Sequence, residues 1–324
     1  MKSFKKLLVV VLALSMILCV TACKSQKEAK DNTNLTILYE QDDSMINTYT
    51  LIAVNPQAPF VDANGTAVSG VKVNTVGADA LMNWMLSKEG EELAANFGYD
   101  KYNEYLFYKL DEAPVSKAEI PKATDETKKI RISTTTSVND SGLLGELLPK
   151  FEEEYGYKVE VFSEGTGKSI ANAKMGNADL ILVHAKEQEE AFVADGFART
   201  IDGMKAERCS FLYNFFVLVG PKDDPIGAKD CKTVKDAFAK IAKEEALFIS
   251  RGDGSGTHTK ELSLWPAELG ITADAASFAN YTKWYNSANA GMGACLTMAN
   301  EKGGYILSDK ATYLTFNANK GVME

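Results

Sequence analysis

The apolar residues of this chain fall into two alternating patterns, short strand-like runs and longer stretches with helical spacing. Strand-like runs occupy residues 35–39, 49–54, 130–133, 158–162, 178–183, 211–219 and 246–249. Helical spacing is found at residues 77–96, from 141 onward, and at 232–243 and 260–269. Their regular alternation after residue 130 predicts an α/β fold with doubly wound parallel sheets, whose ligands lie at the carboxyl ends of strands.

The first 22 residues have the features of a bacterial lipoprotein signal peptide. Three lysines precede an apolar core at 7–20, and small residues stand directly before Cys23. This arrangement resembles a lipobox, which implies cleavage before Cys23 and a lipid on its thiol; an ordinary secretory signal is the alternative. With residues 23–34 as a polar tether, we expect a protein anchored at the outer face of the cytoplasmic membrane.

Composition narrows the class of ligand. The 324 residues carry a formal net charge of −9, which argues against a nucleic-acid partner. His184 and His258 are the two histidines, and no cysteines have metal-ligand spacing, so neither a metal site nor a cofactor is predicted. Three cysteines remain once Cys19 of the signal and Cys23 are set aside. They are Cys209, Cys231 and Cys295, and they allow at most one disulfide.

The chemistry concentrates in residues 250–261, which read SRGDGSGTHTKE. A strand, a glycine-rich turn and a helix in this order direct backbone N–H groups towards one point. Arg251, Ser255 and Thr257 add side-chain donors. Similar turns occur at 134–137, 165–169 and 286–293, so together they predict a shared pocket for an oxyanion.

Two enzymatic readings of these motifs fail. A nucleotide-binding Walker loop around Gly167 requires a glycine where the chain has Phe162. Asp253, Ser255 and His258 lie too close together in one loop to form a hydrolytic triad, whose members normally come from separate elements. No catalytic residues are therefore predicted.

Several segments resemble the tungstate-binding (TupA-type) component of ABC uptake systems. They read TTTS at 134–137, EGTG at 164–167, RGDGSGTH at 251–258, WY at 284–285, GMGA at 291–294 and YILSD at 305–309. The resemblance implies a two-lobed, periplasmic-binding-protein-like (type II) clamp that is monomeric, is not an enzyme and delivers tungstate or molybdate to a membrane permease. The implied ligand-binding residues are Thr135, Thr136, Ser137, Thr166, Gly167, Arg251, Ser255, Gly256, Thr257 and Gly293, supported by Asp253, His258 and His184.

The order of segments departs from that family. Residues 38–108 resemble the part that normally ends such a protein, so the chain resembles a circular permutant. The implied organisation is a lobe-two strand and crossover at 35–48, the permuted closing part of lobe one at 49–109, a linker at 110–129, lobe one at 130–219, lobe two at 220–316 and a tail at 317–324. Residues 49–54 and 215–219 are the implied hinge strands.

Three alternatives stay open. The loop at 251–257 also resembles one in phosphate-binding proteins, where an acidic group accepts the proton of hydrogen phosphate. Because tungstate carries no proton near neutral pH, the tungstate reading predicts that Asp253 turns away from the cleft and pairs with Arg251 or with backbone N–H groups. The other two alternatives are an enzyme that acts on a phosphorylated or sulfated compound and a sensor of the anion.

Overall fold

A computed structural model describes residues 33–40, 42–319 and 321, which lie in one compact unit, Asp31–Glu324. The signal peptide, Cys23 and most of the tether lie outside the described residues. The last two tether positions are described: Thr33 is buried and donates a hydrogen bond to Asn317 Oδ1 over 3.1 Å.

One half of the molecule, here lobe one, is built on a sheet in the order β2-β6-β4-β5. Its strands are β2 (Ile46–Val54), β4 (Lys129–Thr135), β5 (Lys158–Glu164), β6 (Leu180–Val183) and the short β7 (Ala198–Arg199). β6, β4 and β5 are parallel, whereas β2 is antiparallel to β6, so the expected all-parallel sheet is in fact mixed. Leu51 and Ile52 enter different cores on its two faces, which explains the unbroken apolar run.

Seven helices and one short strand complete lobe one. They are α1 (Thr75–Met85), α2 (Lys88–Asn96), α3 (Tyr99–Tyr102), β3 (Tyr108–Lys109), α4 (Thr136–Asp140), α5 (Leu143–Tyr155), α6 (Thr166–Lys174) and α7 (Lys186–Ala194). Residues 77–96, expected as one helix, form two, because Ser87 ends the first and accepts a hydrogen bond from Gly90 N. Gly90 packs so closely on Trp84 O that a Cβ would lie 2.2 Å from it.

The other half, lobe two, contains β1 (Leu35–Tyr39), β9 (Phe248–Ser250), β10 (Tyr285–Ser287) and β11 (Ile306–Asp309). Its helices are α8 (Val234–Lys243), α9 (Gly256–Leu262), α10 (Met292–Lys302) and α11 (Lys310–Ala318), with short 3₁₀ helices at Asp43–Met45, Ala228–Asp230, Ala267–Leu269 and Ala275–Tyr281. The helix expected at 260–269 begins earlier, at Gly256, where Ser255 caps it, and ends before Pro266.

The long strand β8 (Cys209–Pro221) runs through both lobes. It pairs antiparallel with β2 near its start and with β1 and β11 near its end. Leu212 belongs to a lobe-one core and Phe216 to a lobe-two core, so the strand changes lobe a few residues before the expected boundary at 219/220. β2 and β8 are therefore the strands that connect the lobes.

Residues 110–129, expected as a linker, lie against lobe one. Leu110 N donates to Phe211 O over 3.1 Å, and Ser116 forms an isolated bridge with Ser87. Ile120 and Ala123 pack partly buried against the same core as α1. The segment thus follows the surface of lobe one between β3 and β4.

Candidate functional site

The hydroxyl groups after β4 form a compact buried cluster in lobe one. Strand β4 extends through Thr135, so the turn expected at 134–137 is the end of a strand and the start of α4. Thr135 Oγ1 lies 3.1 Å from Ser137 Oγ and accepts from Val138 N, which caps the helix. His184, at the end of the neighbouring β6, places Nε2 2.9 Å from Ser137 Oγ and 3.1 Å from Thr135 Oγ1.

Burial fixes the protonation state of this cluster. His184 is buried, and desolvation together with the charge of Arg251 lowers its pKa to about 3. The ring is therefore neutral at physiological pH, and the site gains no positive charge from it. The sequence left open whether His184 lines a pocket or has a structural role; the structure places its Nε2 against Ser137 and Thr135.

Arg251 crosses from lobe two to lobe one. The side chain is 2% exposed, and its Nη2 donates to Thr136 Oγ1 over 3.1 Å and to Asp253 Oδ2 over 2.6 Å. Asp253 Oδ1 accepts in turn from Ser255 N over 3.1 Å. The predicted pairing of Asp253 with Arg251 and with a backbone N–H is found, but the predicted turn of this carboxylate away from the cleft is not. Its Oδ2 also faces lobe one, since a Cβ on Gly165 would lie 3.4 Å from it.

A second contact joins the lobes at the start of α9. Gly256 N donates to Thr166 Oγ1, the first residue of α6, over 3.3 Å. A Cβ on Gly256 would lie 2.8 Å from both Cε1 and Nδ1 of His184, so only a glycine fits here without displacement. The amino ends of α4, α6 and α9 therefore meet at one place, and the lobes touch directly.

The remaining predicted positions lie around this point. Ala290 N donates to Arg251 O over 3.1 Å, which brings the amino end of α10, with Gly293 buried in its first turn, beside the loop. Gly167 follows Thr166 in the first turn of α6 but is exposed, and a Cβ there would meet only Gln188 Oε1, at 3.8 Å. Gly293 and Gly167 could offer backbone N–H groups but no side chain.

Several buried side-chain donors of residues 250–261 have no partner among the described residues. They include Arg251 Nε, Thr257 Oγ1 and His258 Nε2. Burial lowers the pKa of His258, and its Nδ1 accepts from Gly254 N over 3.0 Å, so the proton of the neutral ring is on Nε2. Unpaired buried donors cost free energy, and an acceptor such as an oxyanion would remove that cost.

Sequence patterns did not reveal Glu261, a fully buried carboxyl group on α9. It accepts from Trp265 Nε1 over 3.0 Å and from Tyr285 OH over 2.8 Å, and burial raises its pKa to about 7. One glutamate in a helical stretch gives no signal of burial, although the two aromatic donors were visible in the sequence. Glu261 fixes the far end of the short helix that presents Gly256 and Thr257.

The described residues contain no group of three or more His, Cys, Asp or Glu side chains arranged for a metal ion. Cys209, Cys231 and Cys295 are each unpaired thiols. The arrangement can bind an anion through neutral hydroxyls, backbone N–H groups and one guanidinium.

Comparison with known proteins adds independent information. Residues 121–324 match a family model described as a PBP superfamily domain. A tungstate-binding protein TupA of Peptoclostridium acidaminophilum is 43% identical over 201 residues, covering 61% of this chain and 65% of the relative. A protein of the same name from Campylobacter jejuni is 35% identical over 184 residues, covering 57% of this chain and 63% of the relative.

Among solved structures, the crystal structure of the tungstate ABC transporter from Geobacter sulfurreducens is similar to this chain. The TM-score is 0.50 at 44% identity, over 60% of this chain and 77% of that chain. This chain spans 52% to 65% of the length of the curated relatives that it matches.

Proposed function

Because the chain belongs to the PBP superfamily, we propose that it is a substrate-binding protein that captures a tetrahedral oxyanion for an ABC transporter. Tungstate is the preferred ligand and molybdate, of the same charge and shape, the second. The observation that carries the proposal is Arg251, a nearly fully buried guanidinium that reaches Thr136 of the facing lobe while its Nε has no partner. A buried donor set shared by two lobes is what a dianion requires.

The proposed binding groups come from both lobes. Lobe one would contribute Thr135, Thr136, Ser137, Thr166 and Gly167, and lobe two would contribute Arg251, Ser255, Gly256, Thr257 and Gly293. Asp253, His258 and His184 would hold these groups in place. Helix amino ends and hydroxyls stabilise negative charge without adding net charge to the site.

Asp253 bears on the choice between tungstate and phosphate in two ways. The approach of its Oδ2 to Gly165 of lobe one is what phosphate would require, whereas its hydrogen bonds favour tungstate. Both of its oxygens accept hydrogen bonds within its own loop, and its charge offsets that of Arg251. An acidic group used in this way is less available to accept the proton of hydrogen phosphate. Phosphate therefore stays the alternative ligand of the same kind of protein, and an enzyme acting on a phosphorylated or sulfated compound is the more distant alternative.

The proposed location is the outer face of the cytoplasmic membrane. We propose that Cys23 carries a lipid, that residues 23–34 form the tether, and that the monomeric protein delivers its anion to the membrane permease. No helix in the described part of the chain is long and apolar enough to cross a membrane. Thr33, near the end of this tether, is buried, which fits a tether that joins the folded part of the protein at that point.

We further propose that the order of segments is circularly permuted relative to the family. Two observations support it: the family model begins at residue 121, and Leu35 lies next to α11, where its carbonyl accepts from Tyr313 OH over 3.0 Å. A chain reordered to run from residue 121 to 318 and then from 33 to 120, which keeps every segment that packs on lobe one, is expected to fold and to bind the same anion. A reordered chain that stays unfolded would count against the permutation.

A thermal-shift titration tests the binding function. Tungstate is expected to raise the melting temperature of the wild type and not that of Arg251→Gln, because ligands stabilise the state that binds them. Arg199→Gln is the control, since Arg199 is a partly buried arginine of lobe one that is paired with a carboxylate, Asp79. Turnover of a phosphate ester that is lost in Arg251→Gln would support the enzyme alternative instead.

A further inference from the structure

Helix α11 belongs to both lobes. Ala311 lies in the lobe-one core that contains α1 and α5, whereas Tyr313 and Phe316 lie in a lobe-two core beside α10. Leu314 packs against both cores. A helix shared in this way must shift against one of its cores if the lobes separate.

Lys310, the first residue of α11, ties the two lobes by charge. The side chain is 3% exposed, and Nζ lies 2.5 Å from Glu104 Oε1 and 2.7 Å from Glu40 Oε2. Glu104 precedes β3 of lobe one, whereas Glu40 follows β1 of lobe two. The two carboxylates are almost equally exposed, at 39% and 40%, so they differ mainly in the lobe to which they belong.

Asp309, the residue before Lys310, joins the same helix to the connecting strands. Its Oδ2 accepts from Tyr49 OH of β2 and from Asn214 Nδ2 of β8, each over 2.6 Å. Its Oδ1 accepts from Thr312 N and caps α11. The start of the helix is therefore fixed at the place where the chain passes from one lobe to the other.

The helix also reaches the candidate site. Thr312 Oγ1 donates to Ser137 O over 3.4 Å, and Ser137 carries one of the hydroxyls in the lobe-one cluster. Tyr102 of α3 and Thr315 of α11 form another hydrogen bond between lobe one and the helix, over 3.0 Å. A displacement of the start of α11 would therefore act on the backbone of Ser137.

We propose that Lys310 and Glu104 form an inter-lobe ion pair that holds the closed arrangement and so sets the affinity for the oxyanion. Lys310 is a positioning residue in this role, because it acts on Ser137 through α11. The proposal rests on the proposed function for its link to affinity, but the effect on lobe closure does not depend on the ligand. Breaking the pair shifts the population towards open lobes and lowers the apparent affinity by the same factor.

The test compares Glu104→Gln with Glu40→Gln. Each removes one of the two carboxylates of Lys310, but only Glu104 belongs to lobe one. Glu104→Gln is expected to raise the Kd for tungstate about fivefold and to enlarge the ligand-free molecule in small-angle X-ray scattering. Glu40→Gln is expected to leave both unchanged, although it should lower the melting temperature by a similar amount.

The outcomes separate this proposal from the proposed function. Equal changes in affinity and size in both variants, or no change in either, would refute the proposed role of the Lys310–Glu104 pair in lobe closure. Lys310 would then be a structural residue only. A wild type that does not bind tungstate would refute the proposed ligand. In that case scattering from the ligand-free variants still decides whether Glu104 holds the lobes together.

Discussion

The contact between Gly256 and His184 gives the sharpest test of lobe closure. Gly256→Ala adds one methyl group at the first position of α9, a position where alanine is at least as compatible with the helix as glycine. In the closed arrangement the new Cβ would lie 2.8 Å from Cε1 and Nδ1 of His184 and 3.1 Å from its carbonyl oxygen. Ordinary contacts of this kind lie at 3.4–4 Å. His184 cannot easily move, because Ser137 and Thr135 hold its Nε2.

The steric overlap between the new methyl group and His184 is expected to raise the Kd for tungstate. Overpacking by one methyl group costs about 1–3 kcal/mol, which corresponds to a Kd about 5 to 150 times higher. The cost falls on the closed state, so the melting temperature of the ligand-free protein is expected to change much less than the Kd. Isothermal titration calorimetry with tungstate and a thermal melt without it measure the two quantities.

A second glycine in the same cleft provides the control. A Cβ on Gly165 would lie 3.4 Å from Asp253 Oδ2, which is ordinary van der Waals contact, and its backbone angles suit any residue. Gly165→Ala is therefore expected to bind nearly as well as the wild type. Wild-type affinity in Gly256→Ala, or an equal loss in both variants, would refute the idea that binding requires this lobe contact.

Two further predictions follow from the charged groups of the site. Asp253→Asn is expected to bind tungstate with an affinity within about fivefold, or 1 kcal/mol, of the wild type. The reason is that tungstate brings no proton for the carboxylate to accept. A far larger loss of affinity in calorimetry would favour phosphate. Glu261 has a pKa of about 7 in the folded protein against an ordinary value of 4.5, so its contribution to stability is complete below pH 4.5 and is lost as the pH rises through 7. The difference is roughly 3 kcal/mol, and Glu261→Gln is expected to remove that part of the pH dependence in denaturant titrations at pH 5 and pH 8. Equal pH dependence in both proteins would show that Glu261 ionises normally.

The sequence predicted the strands better than the helix boundaries, for a physical reason. Apolar runs such as 178–183 are buried on both faces of a sheet, so they stand out from their surroundings. Helix ends depend on single caps: Ser87 divides 77–96 into two helices, and Ser255 starts α9 four residues earlier than the apolar pattern suggested. Periodicity carries no information about such caps.

The sequence identified candidate donors of the site but not the contacts between the lobes. Glycine-rich turns after strands identified Arg251 and the hydroxyls near Thr136, and the structure brings them within hydrogen-bond distance. The fit of Gly256 against His184 and the burial of Lys310 depend on residues far apart in sequence. No local pattern marks such pairs, because each residue alone resembles an ordinary turn or surface position.

This chain is expected to bind a fully deprotonated tetrahedral oxyanion, and calorimetry of the mature protein can decide whether it does. Tungstate, molybdate, sulfate and phosphate are titrated in turn at the same pH and salt concentration. Tungstate is expected to bind tightly, with molybdate the nearest competitor and phosphate far weaker. Sub-micromolar binding of phosphate without binding of tungstate would contradict this expectation.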